Sequence, residues 1–241
     1  MRCHGSRLLR PSSGLVLGLL SALLAVGGSG AIAYALVSAP TPPVQPTAAQ
    51  AGTLHPAARS ARPNPTASLR TLPASPPTRL RIPSIGVDAV IDTLGLNPDR
   101  TVEVPGKPND AGWYDGSAMP GQVGASVLLG HVDFVSTGPA VFYRLGELEP
   151  GAEILVTLED GSTATFTTDA VREFPKSDFP TDEVYGPTDG TAQLRLITCG
   201  SWDSAEHKYV GNTIAFATLR PPGAQGVKAA ASRPAAGPRP R

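Results

Sequence analysis

Cys199 ends the apolar run Leu194-Arg195-Leu196-Ile197-Thr198-Cys199-Gly200, and the only other cysteine of the 241-residue chain is Cys3. A hydrophobic segment separates the two and sets them on opposite sides of a membrane, so Cys199 has no intramolecular disulfide partner. An unpaired thiol on an exported domain is uncommon, because oxidising compartments pair or damage such groups. It is a candidate nucleophile, and a small buried core residue is the competing reading. A cysteine nucleophile needs a proton-transfer group, usually histidine, and a donor for the developing oxyanion. His131 follows the apolar run Val127-Leu128-Leu129 in Gly130-His131-Val132-Asp133. Like Cys199 it sits at a strand-to-loop junction, and a satisfied structural histidine is its alternative. His207 lies in the polar stretch Ser204-Ala205-Glu206-His207-Lys208 and reads as solvated, while His4 and His55 fall outside the folded region.

The elements that must position these groups are short and β-rich. Runs at 80–83, 87–91, 125–130, 153–158, 164–168, 170–174, 193–199 and 212–219 are separated by turn signals, the strongest being Asp160-Gly161. About eight strands at hairpin spacing argue for a barrel or a sandwich. Ala140–Glu147 and Asp182–Tyr185 are the best helix candidates. Period-two alternation in 193–199 sets Arg195, Ile197 and Cys199 on one face. A guanidinium sharing a face with a thiol is a candidate thiolate and oxyanion stabiliser, and on that reading Arg195→Ala costs about 10²-fold in rate. Arg195 paired with an acid on a neighbouring strand is the structural alternative.

The flanks read differently. Arg2, Arg7 and Arg10 precede an uncharged stretch at 15–37, long enough to cross the roughly 30 Å hydrocarbon layer as one helix with its N-terminus in the cytoplasm. A signal peptide cleaved near Ala35-Leu36-Val37-Ser38-Ala39 is the rival. The division is therefore a cytoplasmic N-terminus at 1–14, a transmembrane anchor at 15–37, a Pro/Ala-rich extracellular linker at 38–78, a folded domain at 79–220 and a disordered Pro/Ala/Arg tail at 221–241. The expected location is the cell membrane, single-pass, with the folded domain outside. Formal net charge is zero, with 20 basic and 20 acidic residues, and no basic stripe points to nucleic acid. Two cysteines across a membrane form no metal-ligand cluster.

The folded region resembles the sortases, membrane-anchored cysteine transpeptidases of Gram-positive surfaces. The matching stretches are Gly112-Trp113-Tyr114 with Pro120-Gly121, Gly130-His131-Val132-Asp133, Val141-Phe142, Leu148-Glu149-Pro150-Gly151, Phe179-Pro180-Thr181, Val184-Tyr185-Gly186 and Leu196-Ile197-Thr198-Cys199-Gly200. They span nearly all of 79–220 and are most similar to the actinobacterial branch called class F, with class E next. The resemblance implies a mainly β fold, an eight-stranded closed barrel with short helices. It implies that Cys199 attacks the Thr–Gly bond of a sorting signal similar to Leu-Pro-x-Thr-Gly in a secreted protein, with His131 as general acid and base. A thioacyl intermediate is then resolved by an amine of a cell-wall precursor or a pilin, with no cofactor and no metal.

One position departs from the family. Sortases carry an arginine on the last core strand facing the thiol, and here Asn212 aligns with it. An amide can donate to an oxyanion but brings no charge, and Asn212 capping a turn is the alternative. Lys208 is a weaker substitute for the arginine. Trp202 and Tyr114 are candidates for the substrate groove, Tyr114 as a core aromatic being equally open. Asp133 either orients His131 or starts a turn. Two rivals remain: a sortase-like surface domain that binds without turnover, and a peptidoglycan L,D-transpeptidase-type cysteine enzyme. The second lacks its usual histidine motif close before the cysteine.

Overall fold

Residues 42–52 and 71–220 are described by the computed structural model. Ten strands form: β1 (Pro77–Ile82), β2 (Val87–Leu94), β3 (Ala111–Tyr114), β4 (Gly124–Leu129), β5 (Asp133–Phe134), β6 (Gly138–Pro139), β7 (Glu153–Leu158), β8 (Thr163–Pro175), β9 (Ala192–Asp203) and β10 (Lys208–Leu219). Eight close into a barrel in the order β1-β2-β3-β4-β9-β10-β8-β7, and β5 and β6 form a separate two-stranded ribbon. The β2/β3 and β4/β9 pairs are parallel and the other pairs of the barrel are antiparallel. The mainly β, eight-stranded closed barrel expected from the sequence is therefore present. Its membership differs: 164–168 and 170–174 are one continuous strand, β8, and the eighth barrel strand is the short β3. Four residues holding a Gly, a Trp and a Tyr carry too little periodicity to announce a strand. Among the described residues, helix is confined to α1 (Thr181–Tyr185) and three 3-10 turns, of which only Leu145–Glu147 falls within the helix expected at 140–147.

The β7–β8 hairpin shows the local logic. Gly161 takes φ 82°, and the Asp160 carboxylate accepts from the Ser162 amide at 2.9 Å and hydroxyl at 2.6 Å. Both strands then alternate inward and outward, and β9 does not. Leu194 and Leu196 enter the barrel interior with Leu80, Ile154 and Phe166. Ile197 packs outside it with Val127, Leu129, Ile214, Phe216 and Val184 of α1. A strand covered on both faces reads as a continuous apolar run, which is why 194–199 shows no polar alternation. Five residues are too few to hold a helix alone. Full burial of Val184 contributes about 1.5–3 kcal/mol towards seating α1 on the barrel.

Part of the expected linker lies on the barrel. The Gln50 side-chain amide donates to the carbonyls of Gly146 (2.7 Å) and Leu148 (3.1 Å), and the Gln50 backbone carbonyl accepts from the Val171 amide. Arg172 adds a bond to the Ala51 carbonyl at 2.8 Å. These bonds satisfy backbone groups on both partners, and so a Pro/Ala/Thr-rich segment with little apolar surface is held as a strap. The anchor expected at 15–37 and the tail at 221–241 lie outside the described residues. No helix among the described residues is long and apolar enough to cross a membrane.

Candidate active site

Register assembles the site. β4 and β9 run parallel with Leu129 opposite Ile197. Two bonds extend that pairing: the Gly130 amide donates to the Ile197 carbonyl at 3.1 Å, and the buried Thr198 hydroxyl donates to the Gly130 carbonyl at 2.9 Å. His131 and Cys199 are the next residues along the two segments. On the other side of β9, Asn212 of β10 is directly opposite Cys199. His131, Cys199 and Asn212 thus form one row across three adjacent chain segments at the barrel rim. Two glycines permit it. A Cβ at Gly130 would strike Val141 and Phe142, and one at Gly200 would strike the Glu173 carboxylate and the Thr213 backbone.

Cys199 is 4% exposed and packs with Val132 and Tyr209, flanked by Tyr143 and Trp202. His131 is half-buried, with Nε2 2.8 Å from the Pro105 carbonyl and the ring edge-on to Phe134. A carbonyl only accepts, so Nε2 carries a proton and Nδ1 is left to exchange one with a reacting group. The carboxylate of Asp133 accepts from the Tyr209 hydroxyl. Burial, and then that bond, push the Tyr209 phenol far above its usual range and keep it neutral. The structure thus gives Asp133 a partner that neither reading of it, orienting His131 or starting a turn, had named.

Arg195 is on the predicted face but is not brought to the thiol. Four residues along a strand separate it from Cys199 by roughly 13 Å. Its guanidinium stacks on Phe216, 4.8 Å from the ring centroid, and donates to the carbonyls of Glu183 (3.1 Å) and Leu194 (3.2 Å) and to the Gln193 side chain. Burial pushes its pKa down to about 10, so it is still charged at neutral pH. Arg195 fastens α1 to β9 and does not serve as the oxyanion donor expected of it. Lys208 is exposed and paired with Glu206. Strand parity supplied the face; position along the face and the identity of the cover were not in the pattern.

Sequence reasoning missed Lys176. It opens the 3-10 turn after β8, is half-buried, and brings Nζ to 3.9 Å from the Cys199 sulfur. Its neighbours Pro175-Lys176-Ser177 form no motif, and only the β8–β10–β9 pairing carries it to a cysteine 23 residues away.

A groove of about 1030 Å³ runs up to this row. Leu129, Ile197, Lys176 and Asn212 line it, and Tyr114 and Tyr185 stand on its walls with rings 6.3 Å apart, whereas Cys199 and His131 are not among its lining residues. Its size suits an extended peptide of several residues. Tyr114 thus lines the groove, whereas Trp202 stacks at 4.9 Å on Tyr209 and is not among the lining residues. Among the described residues no group of three or more His, Cys, Asp or Glu is placed to hold a metal ion.

Residues 80–220 match the family model of the sortase domain. Similar solved structures include sortase A from Corynebacterium diphtheriae, at 21% identity and TM-score 0.47, covering 61% of this chain and 62% of that one. Sortase C1 from Streptococcus agalactiae gives 20% and 0.47, covering 60% and 67%. A sortase D5 transpeptidase from Clostridium perfringens gives 22% and 0.45, covering 59% and 78%. The match spans less than two thirds of the C. diphtheriae chain. No curated protein matches.

Proposed function

Because this chain belongs to the sortase family, we propose that it is a cysteine transpeptidase acting on a Leu-Pro-x-Thr-Gly-like sorting signal of secreted proteins. The row of His131, Cys199 and Asn212, with Asn212 lining a peptide-sized groove, carries this reading. The sulfur of Cys199 adds to the threonine carbonyl, and the tetrahedral oxyanion accepts a hydrogen bond from the Asn212 amide. The C–N bond to glycine breaks as His131 gives a proton to the departing amine. A thioester then joins Cys199 to the threonine. An incoming amine, from a cell-wall precursor or a pilin, loses a proton to His131 and attacks that thioester. The C–S bond breaks, an amide forms and the sulfur is released. The motif string favours class F within the family. The basic N-terminus and the uncharged stretch at 15–37 favour a single-pass membrane protein with the barrel outside.

Full-length protein incubated with a library of sorting peptides and a panel of amines tests this by mass spectrometry. The expected result is an amide product and an acyl adduct on Cys199, both missing from Cys199→Ala. A chain that forms neither with any peptide is not a transpeptidase. Asn212 in place of the family arginine favours a second reading, a barrel that binds sorting peptides without turnover. Peptide binding with no adduct on Cys199 would select it.

A further inference from the structure

The family arginine has two tasks in one side chain: charge for the thiolate and donors for the oxyanion. At its aligned position this chain has Asn212, an uncharged amide. Asn212 is buried, lines the groove and is directly opposite Cys199. A neutral amide fulfils the second task and leaves the first unassigned. Arg195 is committed to α1 and Phe216, and Lys208 to Glu206.

Several titratable groups of the described residues lie around the thiol. Asp133 and Tyr209 are bonded to each other, with Tyr209 neutral. Tyr143 flanks the same cluster. Glu173 of β8 accepts from the Ser201 amide, just past the cysteine. His131 follows the end of β4 and is bonded to Pro105. Lys176 reaches the sulfur itself, with Nζ 3.9 Å from Sγ. Its setting is unusual for a lysine, a side chain that normally keeps its ammonium in bulk water. It is half-buried and lines the groove beside Asn212.

We infer that Lys176 supplies the positive charge at the Cys199 sulfur, so that the arginine's two tasks are divided between Lys176 and Asn212. This rests on the transpeptidase reading for its purpose but not for its test. An ammonium beside a thiol favours the thiolate, the form that attacks the threonine carbonyl. An ammonium is also a compact charge on a flexible stem with three rotatable donors, where a guanidinium is a rigid fork. Its rotatable donors let Nζ turn towards the oxyanion that Asn212 holds once the sulfur is acylated.

Alkylation of Cys199 by iodoacetamide, followed by peptide mass spectrometry so that Cys3 is counted separately, measures thiolate as a function of pH in the full-length protein. Lys176→Met is expected to raise the midpoint of the alkylation profile by about one pH unit, a roughly tenfold loss of rate at pH 7. Lys176→Arg restores most of that rate, and Lys208→Met, on the same rim but paired with Glu206, leaves the profile unchanged. Lys176→Gln, close in length and neutral, gives the same rise if charge is the agent, and it covers the case in which the methionine variant unfolds. An unchanged midpoint in the folded neutral variants overturns the assignment. Because no sorting peptide enters this measurement, failure of the transpeptidase reading and failure of Lys176 are separate outcomes.

Discussion

Two positions on one face of β9, Cys199 nearer the rim and Arg195 under α1, are both buried, and their surroundings make opposite use of them. At the rim end, Cys199 is buried beside Lys176 and Asn212, which line a groove. At the deep end, Arg195 is equally buried but roofed by α1, with its donors on Glu183, Leu194 and Gln193. The strand face is the same; the cover differs. Where the cover is a groove wall, a reactive group can meet a substrate. Where the cover is a packed helix, a charged group becomes a fastener, and its worth lies in the carbonyls it satisfies.

Arg195→Ala should break the deep end alone. It leaves the Glu183 and Leu194 carbonyls without their donor and opens a cavity against Phe216, at about 3 kcal/mol of stability. Denaturant melts measure that loss, and the pH profile of Cys199 alkylation should not move. A profile shifted as far as in Lys176→Met would join the two ends into one electrostatic site. Gly200→Ala attacks the rim end through sterics, since its Cβ meets Glu173 and the Thr213 backbone. A cost of about 2 kcal/mol, with β9 displaced beside the thiol, should appear as a lower melting temperature and slower acylation together.

The strap adds a smaller contrast. The Gln45 side-chain carbonyl accepts from the Ser201 amide at 3.2 Å, and Gln50 is buried under Gly146 and Leu148. Gln50→Ala should cost about 1–2 kcal/mol, and limited proteolysis should then cut first near 42–52. The smallest effect belongs to Ser126, which pairs with Leu194 beside the deep end. Its hydroxyl is fully buried and has no hydrogen-bond partner among the described residues. Ser126→Ala should be neutral or stabilise by up to about 1 kcal/mol, read from the same melts.

Much of this was legible in the chain itself. The hairpin at Asp160-Gly161, the strands around 154–158 and 194–199, and the position of His131 just past a strand end follow from turn chemistry and from apolar runs of strand length, whereas the junction expected at Cys199 is absent because β9 runs on to Asp203 paired with β10. Those signals are local, and neighbouring residues carry them. Short β3 has no such signal, and the strap holds by bonds between residues about a hundred positions apart.

The sequence by itself determined a β-rich domain with a single cysteine between residues 79 and 220 and a histidine just past the end of an apolar strand. The tertiary structure decided the rest of the site. Parallel register between β4 and β9 set His131 on the segment beside that of Cys199, α1 took Arg195 away from the thiol, and the turn after β8 delivered Lys176 to it. The physical reason is common to all three. Side-chain period tells which face a residue takes, but its neighbours across a barrel depend on strand order and register, which only closure of the whole sheet sets.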